Sequence, residues 1–379
     1  MLGQFEPPKR LRGIEKSAIR QVFDRANPGS INLGLGEPDL QTPEVITQAA
    51  LRIIATGRNG YTSHAGLQLL REMVAADYPQ LSANSEQVIV TAGSQEALYL
   101  ALMTLVDEGD EVLLPDPGFV AYPTIVRMAG GVPSFYRLPA ANDFAFDAVE
   151  FERSLTPRTK VVVTISPSNP TGRILTENDL AKMKELLGRT DAYVISDEIY
   201  RDIYYAEGRP PSISSFYDRT IVIGGLSKSM SMTGWRLGWM CGDLDVIRCA
   251  LILHGYVTTC ASTISQKAAL AAWTEEGEAA RKEIRRTFME RRNHLLKAIL
   301  QELNLHAVVP DGSFYTMVNV SEHGPSLSVA KAMLEEGVIT VPGGAFGGEG
   351  EGFLRVSFCA DLPTLTEGVK RMGAALRKA

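Results

Sequence analysis

Residues 160–172 read KVVVTISPSNPTG, a run of β-branched residues that ends in a turn rich in serine, proline, asparagine and glycine. A continuous apolar run of this length is typical of a strand buried on both faces, as in a parallel sheet covered by helices. Similar runs occupy residues 88–90, 112–114, 193–195 and 220–223. Between them, residues 95–106 and 177–187 are amphipathic and predict helices that Ser94 and Thr176 cap. This alternation predicts an α/β fold.

Polar segments directly follow four of the predicted strands. They are residues 91–95, 166–172, 196–200 and 224–238. Ligands of open α/β sheets bind at the carboxyl ends of the strands, so we expect these segments to converge on one site. Each segment alone is also compatible with an ordinary turn or a helix cap. The last one is unusual for a structural loop, because Lys228 lies among small residues without a nearby acidic partner and Arg236 follows eight positions later.

Composition excludes several classes of protein. The 379 residues are 45% hydrophobic and carry a formal net charge of -6, with no basic run that could follow a nucleic-acid backbone. No apolar stretch approaches the ~18 residues of a membrane span, and we predict a cytoplasmic protein. The four cysteines lack the spacing of a zinc site, so no metal is expected. Neither a G-x-G-x-x-G nor a P-loop nucleotide motif is present.

The length predicts two or three domains. Alternating strands and helices give way to a charged helical stretch and then to short strands with glycine-rich turns, and we place a boundary near Thr287. The prediction is a large cofactor-binding domain over residues 46–286 and a small domain made of residues 1–45 and 287–379.

Taken together, the motifs resemble the fold-type I pyridoxal-phosphate enzymes, and specifically the class I and II aminotransferases. The resemblance rests on S-N-P-x-G at residues 168–172, D-E-x-Y at residues 197–200 and the lysine signature at residues 225–238. Residues 35–39 and 355–357 extend it over nearly the whole chain. It implies a mostly parallel seven-stranded sheet between layers of helices, with a smaller α+β domain, and pyridoxal 5′-phosphate as the cofactor.

The resemblance also implies roles for individual residues. Lys228 would bond covalently to the cofactor and move the substrate Cα proton, with Asp197 at the ring nitrogen and Tyr200 at the ring hydroxyl. The implied cofactor-binding residues are Tyr61, Gly93, Ser94, Gln95, Phe119, Asn169, Asp197, Tyr200, Lys228 and Arg236. The implied substrate-binding residues are Gly36, Asn169 and Arg355, of which Arg355 would hold the α-carboxylate.

Tyr61 matches a tyrosine that reaches the cofactor phosphate of the neighbouring subunit, which implies a homodimer with shared active sites. The chain departs from the family pattern at two positions. Gly225 stands where many members have a serine that contacts the phosphate, so that contact is missing or replaced, and Ser227 has no assigned role. Gln95 stands where some aspartate-selective members have a lysine for the distal carboxylate.

The expected activity is transfer of an amino group between an L-amino acid and a 2-oxo acid. A β-eliminating lyase or an amino acid oxidase would use the same residues. So would a non-catalytic cofactor-binding sensor, but the sensors of this kind carry a DNA-binding module, for which we expect the residues before the first motif to be too few. We expect a neutral or broad amino donor, with 2-oxoglutarate or pyruvate as acceptor. The side-chain pocket is expected to draw on residues 11–17, on the loop after Gly60 and on the partner chain.

Overall fold

The computed structural model describes residues 12, 14, 27–81 and 84–378. Most of residues 11–17, expected near the side chain of the substrate, therefore lie outside the described residues. The strands are β1 (Ile31–Asn32), β2 (Val88–Thr91), β3 (Glu111–Asp116), β4 (Val132–Arg137), β5 (Thr159–Ile165), β6 (Tyr193–Asp197), β7 (Thr220–Gly225), β8 (Gly238–Gly242), β9 (Tyr315–Asn319), β10 (Val338–Ile339), β11 (Val341–Pro342) and β12 (Phe353–Ser357). The helices are α1 (Glu44–Thr56), α2 (Gln68–Ala76), α3 (Ser94–Leu105), α4 (Tyr122–Met128), α5 (Ala148–Ser154), α6 (Glu177–Leu187), α7 (Leu244–Val257), α8 (Thr263–Ala269), α9 (Glu275–Ala298), α10 (Ser326–Glu335) and α11 (Leu362–Leu376).

The central sheet has seven strands in the order β2-β8-β7-β6-β5-β3-β4. Strands β4, β3, β5, β6 and β7 pair in parallel, and β8 pairs antiparallel with both of its neighbours. The expectation of a mostly parallel seven-stranded sheet is confirmed. The apolar runs had predicted five of these strands. The other two lack that signal, because β4 is an exposed edge strand and β8 is bounded by glycines.

Successive residues of the central strands bury their side chains on opposite faces of the sheet. Val161 and Val163 of β5 belong to the same buried cluster as Leu98 of α3. Val162, between them, packs in a second cluster with Met183 of α6. A strand covered on both faces has to bury consecutive side chains, which is why residues 161–165 of β5 are all β-branched. Helix layers on both faces leave the carboxyl ends of the strands as the open edge where a ligand can bind.

A smaller α+β unit contains the antiparallel sheet β11-β12-β9 and the parallel pair β1-β10. Its strands β1 and β12 come from opposite ends of the chain. The long helix α9 leads from the central sheet into this unit, and Thr287 lies within that helix. The domain boundary near Thr287 remains a prediction. Among the described helices, none combines the length and the apolar character needed to cross a membrane.

Candidate active site

A cavity of about 630 Å³ lies at the carboxyl ends of β5, β6 and β7. The sequence-predicted residues that line it are Gly36, Ser94, Gln95, Phe119, Asn169, Asp197, Tyr200, Lys228, Arg236 and Arg355. Gly93 is next to Ser94, and its backbone lies close to the guanidinium of Arg236. Tyr61 does not line this cavity; its side chain is 87% exposed and borders a separate surface recess with residues 260–264. Twelve residues were predicted from separate motifs, and the fold brings all but Tyr61 to one place.

The amino end of α3 forms one end of the cavity. Ser94 was predicted to cap this helix, but that prediction is wrong: Gly93 is the N-cap, with φ of +86°, and no side chain caps the helix. Arg236 lies across the turn, where Nη1 donates to the carbonyl of Thr233 at 2.9 Å. A Cβ on Gly93 would be 2.5 Å from Arg236 Nη2, so only glycine admits the guanidinium here. Free backbone N–H groups and an arginine at a helix amino end form a binding site for an anion.

Asp197 is a buried carboxylate on the floor of the cavity. Its Oδ2 accepts a hydrogen bond from the hydroxyl of Tyr122 at 2.9 Å, and its Oδ1 accepts one from the backbone N–H of Ile199 at 3.2 Å. Burial raises the pKa of Asp197 to about 6, although the bond from Tyr122 acts in the opposite direction. Holding this carboxylate ionised at neutral pH costs the folded protein on the order of 3 kcal/mol. A cationic N–H group placed in the cavity would offset that cost.

Replacing Tyr122 by phenylalanine is expected to raise the pKa of Asp197 further, by about one to two pH units, because a hydrogen bond to a charged group contributes about 1.5–3 kcal/mol. The unfolded carboxyl loses its proton near pH 4, and the folded one does so near pH 6. The unfolding free energy of the ligand-free protein therefore falls as the pH rises through this window and levels off above it. In the Tyr122→Phe protein the fall should continue to pH 7 or beyond. Urea unfolding at a series of pH values measures this difference.

Tyr136→Phe is the matched control for that experiment. Tyr136 is also fully buried, and its hydroxyl donates to the carbonyl of Val163 at 3.1 Å, away from Asp197. This variant should lose stability by the same amount at every pH. Parallel pH curves for the two variants would contradict the role given to Tyr122.

Lys228 extends into the cavity from the turn that follows β7. Its Nζ donates to the carbonyl of Gly36 at 2.7 Å and lies 5.8 Å from the centre of the Phe314 ring. Burial lowers the pKa of Lys228 below that of a free lysine, so a larger fraction of the amine is neutral at pH 7. A neutral amine at such a position is suited to act as a nucleophile and as a base.

Arg355 is a buried cation that lines the same cavity. Its Nη1 donates to Asn169 Oδ1 at 2.8 Å and its Nη2 to the carbonyl of Gly34 at 2.5 Å. The guanidinium lies between the rings of Tyr315 and Phe346, 4.3 and 4.7 Å from their centres. Within residues 27–81 and 84–378, no carboxylate forms an ion pair with it. A buried arginine without an acidic partner marks a second site for an anion.

Aromatic residues that the sequence analysis did not select complete this side of the cavity. The hydroxyl of Tyr315 contacts that of Tyr200 at 3.2 Å. A Cβ on Gly36 would be 1.5 Å from the same Tyr315 hydroxyl, so glycine is required where residues 34–36 pass over the ring. Tyr122 and Phe346, which contact Asp197 and Arg355 without lining the cavity, were missed as well, because a buried aromatic residue has the pattern of an ordinary core residue. Phe119 was predicted; it lines the cavity and packs edge-to-face on Tyr122 at 5.4 Å.

The chain is closely packed around Gly225, which stands where the family pattern has a serine. A Cβ at this position would be 3.1 Å from the carbonyl of Leu237 and 3.2 Å from Gly238 Cα. Strands β7 and β8 pair here glycine to glycine. Ser227, two residues later, is buried and lines the cavity, so a hydroxyl is present at this wall from a different position.

The rest of the cavity wall is mainly apolar. It comprises Leu35, Leu98, Val120, Ile125 and Met128. Gln95 and Thr124 add neutral polar groups, and the lining cations among the described residues are Lys228, Arg236 and Arg355. No cluster of possible metal ligands occurs in the part of the chain that the structure describes.

Comparison with known proteins identifies the family. The family model for aminotransferase class I and II matches residues 28–372. The chain is 36% identical to a probable aspartate aminotransferase of Methanocaldococcus jannaschii, over 92% of this chain and 94% of the relative. It is 35% identical to aromatic-amino-acid aminotransferase 2 of Thermococcus litoralis, over 97% of this chain and 98% of the relative.

A solved structure gives the same result at the level of the fold. The aspartate aminotransferase of Thermus thermophilus, determined with maleate, superimposes with a TM-score of 0.92 at 33% identity, over 98% of this chain and 100% of that one. The matched region includes both anion sites, Lys228 and Asp197. We conclude that the protein is an aminotransferase and belongs to the class I and II family.

Proposed function

We propose that the cavity binds pyridoxal 5′-phosphate and transfers the amino group of an L-amino acid with a neutral side chain to a 2-oxo acid. One observation carries the proposal: the cavity that contains Lys228 and Asp197 is also lined by two arginines, Arg236 and Arg355, for which the described residues provide no acidic partner. Two separate anions are therefore accommodated around one amine and one carboxylate. A phosphorylated cofactor and a carboxylate substrate satisfy that requirement.

The residues fit the cofactor in three respects. The uncapped amino end of α3 and Arg236 would hold the phosphate, and the hydroxyls of Ser94 and Ser227 line the same cavity. Burial raises the pKa of Asp197, and a protonated ring nitrogen would offset the cost of keeping this carboxylate ionised. Phe119 would cover a face of the ring, and Tyr200 and Asn169 would hydrogen-bond its hydroxyl.

When bound, pyridoxal phosphate supplies an aldehyde that bonds to amines and a ring that takes up the electron pair left on a deprotonated Cα. The residues of the chain supply the rest. Lys228 Nζ takes the proton from the substrate Cα, for which its lowered pKa is suitable. Asp197 keeps a proton on the ring nitrogen, and Tyr122 keeps Asp197 ionised. Arg355 orients the substrate by forming bidentate hydrogen bonds to its α-carboxylate.

The rest of the described cavity wall supports an amino donor with a neutral side chain. Each lining cation already has an assignment, Arg355 to the α-carboxylate, Arg236 to the phosphate and Lys228 to the proton transfer. A distal carboxylate would lie against apolar side chains such as Val120 and Met128, with Gln95 as a neutral neighbour. The names of the relatives, an aspartate and an aromatic aminotransferase, leave the donor of this chain open.

A half-reaction screen tests the proposal. The cofactor-loaded protein is mixed with each of the twenty amino acids without an acceptor, and the visible absorbance of the cofactor and the 2-oxo acid formed are both measured. Apolar and neutral donors are expected to bleach the absorbance and to give at most one 2-oxo acid per chain. A preference for aspartate or glutamate would refute the neutral donor. Continuous release of ammonia would favour the eliminating lyase, and ammonia with consumption of oxygen the oxidase.

We also propose a homodimer with shared sites, and we retain the cytoplasmic location predicted from the composition. The exposed Tyr61 ring supports the dimer, because a residue expected at the phosphate lies outside the cavity of its own chain. Exposed apolar side chains nearby, on α1 and α7, provide a surface that a second copy would cover: Leu51, Ile54, Ile252 and Tyr256.

Tyr61→Phe is expected to weaken cofactor binding by about 1 to 3 kcal/mol, because the phosphate loses one hydrogen bond. Equilibrium titration with pyridoxal phosphate measures the loss. Tyr204→Phe serves as the control, since this half-buried ring packs against Arg285 and has no assigned role. Sedimentation should give a dimer for both variants. A fully active monomer would contradict the shared site.

A further inference from the structure

Residues 34–42, here called the strap, form an extended segment without helix or strand that passes beside the cavity. Two of its backbone carbonyls contact the proposed catalytic and substrate-binding side chains. The carbonyl of Gly34 accepts a hydrogen bond from Arg355, and that of Gly36 accepts one from Lys228. The position of the strap therefore affects both side chains.

A segment without regular backbone hydrogen bonds depends on its side chains for a fixed position. In the strap, Glu37 accepts a hydrogen bond from Thr233 at 2.8 Å, and Thr42 donates to the carbonyl of Ser231 at 2.8 Å. Both partners belong to the loop between Lys228 and β8. Asp39 makes a further side-chain contact, to Arg291 of the long helix α9.

Asp39 forms a bidentate ion pair with Arg291 of α9. Its Oδ1 is 2.6 Å from Arg291 Nη1, and its Oδ2 is 3.2 Å from Nη2. Arg291 Nη1 also donates to the backbone carbonyl of Cys359, which lies four residues after Arg355. Arg291 is only 7% exposed and does not line the cavity. One guanidinium thus joins the strap, the chain that follows β12 and the long helix.

We propose that Arg291 is a positioning residue. It holds the strap and the segment carrying Arg355 in a fixed position relative to each other, so that the binding site for the substrate carboxylate is formed before the substrate arrives. The inference rests on the proposed role of Arg355 in binding that carboxylate. A guanidinium can bond both oxygens of Asp39 and the Cys359 carbonyl at once, because its donors have a fixed planar geometry. An ammonium group cannot reproduce this arrangement, although it keeps the charge.

Arg291→Lys tests the proposal, and Arg292→Lys is the matched control. Arg292 is the next residue of the same helix; it donates to the carbonyl of Pro310 at 3.0 Å and lies 4.7 Å from the centre of the Tyr205 ring, with no bond to the strap. The first readout is amide hydrogen exchange of the cofactor-free protein. We expect exchange in residues 34–42 to be about tenfold faster in Arg291→Lys, and unchanged in Arg292→Lys.

The second readout separates binding from chemistry in the loaded enzyme. Arg291→Lys should raise KM for the amino donor about tenfold, because the strap carries the Gly34 carbonyl that Arg355 bonds. Asp39→Asn should do the same, and the double variant should be no worse than either single one. This non-additivity would not arise from general destabilisation.

The inference is overturned if Arg291→Lys matches Arg292→Lys in hydrogen exchange, or if exchange changes while KM does not. Failure of the wild-type protein to transfer an amino group would instead refute the proposed function. The two failures are distinguishable, because the exchange experiment requires neither cofactor nor turnover.

Discussion

Lys228→Ala is expected to abolish covalent attachment of the cofactor and to lower turnover by about 10²- to 10⁴-fold, the range attributed to a positioned acid or base. In this structure Lys228 is the lysine that lines the described cavity, and burial lowers its pKa. Its loss removes both the amine that bonds to the cofactor and the base for the Cα proton. Borohydride reduction of the loaded protein followed by peptide mass mapping measures the first effect, and single-turnover kinetics measures the second.

Lys182→Ala is a suitable control, because this surface lysine pairs with Glu185 on α6 and does not line the cavity. Its adduct and rate should match those of the wild-type protein. A Lys228→Ala protein that still gave a reduced adduct in the same cavity would remove the basis for assigning this lysine.

Arg355→Ala is expected to lower kcat/KM for the amino donor by about 10² to 10³, with KM raised and kcat lowered together. The truncation leaves Asn169 Oδ1 and the Gly34 carbonyl without their hydrogen-bond donor. It also removes the guanidinium that would bind the substrate carboxylate. Binding and orientation should therefore both be impaired. Cofactor affinity should change little, because the phosphate is assigned to the other end of the cavity.

A second variant, Arg355→Lys, distinguishes charge from geometry. It keeps the cation but lacks the planar fork, so we expect it to recover only part of the lost activity. Arg153→Ala, at an exposed ion pair on α5, provides the baseline. An Arg355→Ala protein with unchanged KM would contradict the assignment of this arginine to the substrate.

The parts of the structure that follow from local sequence were predicted well. Helix α6 begins and ends at the predicted residues, because Thr176 caps it by accepting a hydrogen bond from Asp179 N–H. Strands β5 to β7 each contain a run of at least three consecutive apolar residues and are recognisable on that basis. The cap of α3 was assigned one residue late, since a glycine with positive φ and an arginine 143 residues away decide that turn.

Long-range partners were the part that local sequence could not provide. Tyr122 and Tyr315 have the pattern of core residues, and their roles depend on Asp197 and Tyr200, which are distant in the chain. Arg291 belongs to a helix with many exposed charges, and only the fold reveals that it is buried against Asp39. The residues at the strand ends were predictable, because a parallel sheet gathers them at one edge whatever the details of packing.

Isotope tracing of the amino nitrogen tests the central claim most directly. The cofactor-loaded protein is given an ¹⁵N-labelled neutral amino acid together with pyruvate or 2-oxoglutarate, and the products are separated and weighed by mass spectrometry. The account predicts that the label appears in the amino acid formed from the acceptor, in equal amount to the 2-oxo acid formed from the donor. Labelled ammonia without a labelled product amino acid would contradict it.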